Sequence, residues 1–127
     1  MSPWSVTMSV LLLAGALVLI CDSRAPELGD KRDVTCPITA TGAEQRFVFK
    51  VNFIGSHDDT VLSMKPALND QPLACEEGSK LESKFEDGEV SLECRFTVKA
   101  QAGTAQALGV AIVWTHAQYM DFSLTAR

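Results

Sequence analysis

The sequence is poor in most of the residues that carry chemistry. It has two histidines, one tyrosine and four cysteines in 127 residues. It contains no CxxC pair and no His/Cys cluster, so a zinc centre is not expected. No GxSxG elbow, HExxH helix, phosphate loop or EF-hand spacing occurs, and neither an enzyme nor a cofactor is expected. Asn52 and Asn69 are followed by Phe-Ile and Asp-Gln, so there is no N-glycosylation sequon. Positive charge is also scarce: Lys and Arg number 11 against 16 Asp and Glu, for a formal net charge of −5. That sign disfavours nucleic acid and anionic membrane surfaces as partners.

The one long apolar run, Ser9–Ile20 (SVLLLAGALVLI), is shorter than the about 20 residues a spanning helix needs. It suits the apolar core of a secretory signal peptide. Cleavage is expected after Ser23 or Ala25, which gives a leader over residues 1–25 and a single secreted domain over 26–127. Losing Asp22 and Arg24 together leaves the net charge unchanged. Losing Cys21 leaves Cys36, Cys75 and Cys94, enough for one bridge and one unpaired thiol. That thiol could be buried or could hold an extracellular protein partner.

Beyond a polar leader over 26–33, the chain alternates with period two. In Gln45–Ile54 (QRFVFKVNFI), Phe47, Phe49, Val51 and Phe53 fall on one face and Val48, Lys50 and Asn52 on the other. Glu89–Lys99 repeats the pattern, with Val90, Leu92, Cys94, Phe96 and Val98 inward. Such alternation lines residues up on a strand and scatters them on a helix. Shorter strands are expected at Asp33–Thr39, at Thr60–Met64 ending before Pro66, and at Leu81–Phe85 before the Glu86-Asp87-Gly88 turn. Leu108–His116 reads as a central strand and Tyr119–Thr125 as the last. About seven strands and no helix imply an all-β, two-layer antiparallel sandwich of the immunoglobulin-like kind. Cys94 faces the core, and either Cys36 or Cys75 can be its partner.

His57-Asp58-Asp59 and His116 read as solvated turn and strand-end residues. The acidic residues Glu76, Glu77, Glu82, Glu86, Asp87, Glu89 and Glu93 read as a solvated face. The aromatic residues are more informative. Phe47, Phe49, Phe53, Phe96 and Trp114 could fill the core, or could line an apolar cavity between sheets that stand apart. In a cavity, a lipid or other hydrophobic small molecule would gain about 0.8 kcal/mol for each buried CH₂.

Cys36-Pro37-Ile38, then Gly42, then the strand RFVFKVNF resembles the opening of the ML lipid-recognition domains, a family that includes mite allergens and lysosomal sterol carriers. Gly88-Glu89-Val90, Val110–Trp114 and Met120–Thr125 resemble its later strands, so the likeness covers residues 34–126. It implies an immunoglobulin-like sandwich with a lipid cavity lined by Phe47, Phe49, Phe53, Phe96 and Trp114. The final strand, MDFSLTAR, lacks the cysteine that the family places there. The alternative is an immunoglobulin-like module that binds another extracellular protein through a sheet face or loops.

Overall fold

In the computed structural model, residues 11–13, 16–24, 31–55, 61–84, 90–115 and 117–127 are described. The chain forms eleven strands among these residues: β1 (Leu11–Leu13), β2 (Ala16–Leu19), β3 (Asp22–Arg24), β4 (Lys31–Thr39), β5 (Gln45–Gly55), β6 (Val61–Leu68), β7 (Gln71–Pro72), β8 (Glu82–Lys84), β9 (Val90–Val98), β10 (Ala105–Trp114) and β11 (Ala117–Ala126). They build two antiparallel sheets. The first runs β1-β2-β11-β5-β9; the second runs β3-β4-β10-β6-β7, with β8 also on β6. The expected all-β sandwich is the fold. No helix among the described residues is long and apolar enough to cross a membrane.

The alternation read from the sequence sets the core. Registers Phe47↔Phe96, Phe49↔Cys94 and Val51↔Leu92 put the apolar faces of β5 and β9 side by side. Leu124↔Phe49 adds β11. Val34, Cys36, Ile38, Leu62, Met64, Leu108, Val110 and Ile112 close the core from the second sheet, all buried. On β5 and β9 the alternate positions are mostly polar (Arg46, Lys50 and Asn52; Ser91, Glu93, Arg95 and Thr97) and face outward, because a sheet covered on one side keeps the other wet.

Four expectations need correction. The strand expected to end before Pro66 continues to Leu68, with Pro66 opposite Val110 of β10. The Pro66 carbonyl accepts from Leu73 N–H, away from β10. In an antiparallel ladder a residue's N and O point the same way, so the missing N–H also faces away from β10 and costs no bond there. The β6–β7 turn was likewise not foreseen. Asn69 (φ 52°) and Asp70 (φ 65°) both take the left-handed region, as a two-residue type I′ hairpin turn demands. Strand β4 begins at Lys31, inside the expected leader over 26–33.

The fourth correction concerns sulfur. The bridges are Cys21–Cys36 and Cys75–Cys94, and there is no free cysteine. Of the two partners considered for Cys94, Cys75 is the one used. Cys36 is taken by Cys21, whose Cα lies 4.2 Å away, so the chain that keeps Cys21 lacks the spare thiol expected among Cys36, Cys75 and Cys94.

Candidate functional site

Phe47, Phe49, Phe53 and Phe96 are each at most 1% exposed and belong to one core cluster. The sequence places them correctly because period-two alternation is a direct readout of which face a strand buries. Phe47 stacks on Phe96 with ring centroids 5.5 Å apart, and Phe49 lies 6.4 Å from Phe122. Those separations are contact distances for aromatic pairs. Trp114 is different: it is half-buried and packs against the rim of the cluster. Near that end, inward-facing Arg32 is opposite Ile112. Its Nε is buried with no hydrogen-bond partner among the described residues.

The opposite end is closed by a polar knot that sequence reasoning did not find. Arg127 Nε donates to Phe47 O at 3.0 Å, and its Nη2 donates to Phe96 O at 3.1 Å and to Glu76 Oε1 at 3.0 Å. Thr97 Oγ1 donates to the other Glu76 oxygen. The hydroxyl of Thr97, then the guanidinium of Arg127, hold the Glu76 carboxyl below its ordinary range. A carboxylate so held stabilises the fold above its ordinary pKa of 4.5. That contribution is lost as the pH falls below this value and through the lowered one. Glu76→Gln is therefore expected to lower the urea midpoint more at neutral pH than in acid below pH 4.5. An equal loss at both would show that the charge is not what matters. The remaining acidic residues do not converge: Glu77 and Glu82 are exposed, while Glu93 receives Arg95 Nε at 3.0 Å. Glu86, Asp87, Glu89, His57-Asp58-Asp59 and His116 lie outside the described residues. No group of three or more His, Cys, Asp or Glu among the described residues could hold a metal.

A second feature was legible but not singled out. Along β10 the outward positions are Ala105, Ala107, Gly109, Ala111 and Val113, and all but Gly109 are exposed. Beside them stand Asp33, Thr35 and Pro37 on β4, and Ser63, Lys65 and Ala67 on β6. The centre of this sheet therefore presents a flat strip with almost no side chain. A Cβ built on Gly109 meets nothing within 4 Å, so neighbouring atoms do not require glycine there. Asp33 and Lys65 are both in register with Ala111, on opposite sides of it.

No protein-family model matches the sequence, and no curated protein matches it. Among solved structures, a family 35 carbohydrate-binding module from Clostridium thermocellum is similar over 91% of this chain and 95% of its own, with 7% identity and a TM-score of 0.47. A CBM35 from Paenibacillus barcinonensis is similar over 90% and 93%, with 11% identity and a TM-score of 0.30. A β-glucosidase from Kluyveromyces marxianus matches over 74% of this chain but 11% of its own length, at 13% identity and 0.37. Likenesses this distant carry no argument about ligand or activity, and the functional reading rests on the molecule's own surfaces.

Proposed function

We propose that the protein is a secreted, non-enzymatic binding module that engages another protein through the outer face of its second sheet. Two disulfides suit an oxidising compartment such as the extracellular space. The observation that carries the reading is the flat, exposed strip of Ala105, Ala107, Gly109, Ala111 and Val113. The middle of a sheet that faces only water ordinarily carries long polar side chains; here a partner's backbone could approach closely.

The flanking charges point to a second copy of this chain as the occupant. Two such faces stacked about a two-fold axis along β10 set Asp33 of each copy over Lys65 of the other. Aligned sheets pack in this way in sandwiches, about 10 Å apart. Three strands about 4.8 Å apart and about 30 Å long offer roughly 450 Å² per copy, the scale of a weak, reversible association.

The carrier reading puts a lipid between the sheets, against the inner face on which Phe47 and Phe96 stand side by side. One observation favours a narrower form of it. The unpartnered Arg32 Nε lies toward the Trp114 end and would suit the anionic head of an amphiphile whose chain enters there.

Native mass spectrometry and sedimentation of protein from secreting cells test both readings. A concentration-dependent dimer, lost in Gly109→Glu while the thermal midpoint is kept, is the expected result. A monomer at all concentrations that carries the mass of a lipid, lost in Arg32→Ala, would replace the first reading with the second. A monomer with no added mass would overturn both.

A further inference from the structure

The amino-terminal strands occupy an unusual place. Strand β2 pairs with β11 through Leu19↔Leu124 and Val18↔Thr125. Only a few residues on, β3 pairs with β4 through Asp22↔Thr35, Ser23↔Val34 and Arg24↔Asp33. One short segment thus covers the β11 edge of the first sheet and the β4 edge of the second. Leu19 and Cys21 pack against the core, and Cys21 is bonded to Cys36, which is 0% exposed. A cut after Ser23 or Ala25 would bare both edges, which are templates for pairing with other chains. It would also strand Cys36 as a buried thiol in an oxidising compartment. Strand β1 is different: among the described residues it is the outermost strand of its sheet and pairs with β2 alone.

We infer that the precursor is cut after Ala16, so that the mature chain runs from Leu17 to Arg127 and keeps Cys21. Two independent observations meet at that bond. In the sequence, Ala14-Gly15-Ala16 follows the uncharged stretch Val6–Leu13 (VTMSVLLL), apolar but for Thr7 and Ser9, and lies within the longer run Ser9–Ile20; small residues one and three positions before the cut are what signal peptidase requires. In the fold, the bond after Ala16 separates β1 from every residue that pairs with β11 or β4, since those pairings begin at Val18. The cleavage is a hydrolysis: water adds across the Ala16–Leu17 amide and frees a new amino terminus on Leu17. The mature chain then holds an even number of cysteines, all bridged.

The test is amino-terminal sequencing and intact mass of the full-length precursor's secreted product, alkylated before and after reduction. A terminus at Leu17, no alkylation before reduction and four alkyl groups after it are expected. A terminus at Arg24 or Pro26, or one alkylated thiol in the unreduced chain, overturns the inference; so does an uncut Met1 terminus. In Cys21→Ser the unreduced protein is expected to go from no reactive thiol to one, once unfolded in denaturant. If that variant is not secreted, the terminus of the unmodified protein still decides. These readouts do not depend on what the mature domain binds.

Discussion

Replacing Phe49 with alanine is expected to lower the unfolding free energy by about 3–5 kcal/mol, the range for deleting a buried phenylalanine ring. Phe49 is 0% exposed, sits between Cys94 of β9 and Leu124 of β11 in register, and faces Phe122. Neighbours on both flanking strands are fixed by their own ladders, so the hole left by the ring closes only in part. A domain of this size has about 5–15 kcal/mol in hand, so the change removes a large share of it. Lys50→Ala, one residue along and on the wet face, is expected within about 0.5 kcal/mol of the unmodified protein. Urea denaturation of the two variants makes the measurement. A loss under about 1 kcal/mol for Phe49→Ala would mean that the ring does not fill a packed interior.

The same comparison shows how much of the molecule its sequence states. Burial of one face per strand is written directly in the period-two pattern, so β5, β9, β10 and β11 and the inward cluster could be read without coordinates. What escaped has a different physical origin. The β6–β7 hairpin rests on Asn69 and Asp70 in left-handed conformations, and Asn-Asp is a weaker signal for such a turn than Asn-Gly. The continuation of β6 through Pro66 depends on which side of the strand faces β10, a fact of pairing that no local rule contains. The Glu76–Thr97–Arg127 knot joins residues far apart in the chain, and each looks like an ordinary surface residue in isolation. The outer strip of β10 escapes for another reason: LGVAIVW is apolar at nearly every position, which suits a central strand and hides which of its faces meets solvent. Ala111 and Val113 are in fact exposed. Sulfur pairing depends on whether Cys21 stays in the chain: with it present Cys36 has a partner, and the spacing of the cysteines alone does not say so.

Removing the Cys75–Cys94 bridge is the second large effect expected, and its cause is the edge that the bridge protects. Strand β9 is the last strand of the first sheet, and an uncovered edge strand invites pairing with other chains. Residues 75–80 lie along it as a strap. Glu76 N–H donates to Arg95 O at 2.7 Å, Lys80 N–H to Glu93 O at 2.8 Å, and Glu93 N–H to Lys80 O at 2.9 Å. The Arg95 N–H donates to Ser79 Oγ at 2.8 Å, an approach allowed by the turn in which Gly78 takes φ 93°. The strap has few buried apolar groups of its own, so its attachment rests on these bonds and on sulfur. With a sequence separation of 19, the chain-entropy model gives about 3 kcal/mol for the crosslink. The Cys75→Ala, Cys94→Ala double variant is the right probe, because a single change would leave an unpaired thiol beside the core. It is expected to lose about 3 kcal/mol by urea denaturation. Amide hydrogen exchange at Glu76, Lys80 and Arg95 should rise more than at Phe49 in the interior strand. Uniformly faster exchange with no preference for the strap would show that the bridge acts only on the unfolded chain. Unchanged stability would show that the strap's backbone bonds hold the edge without it.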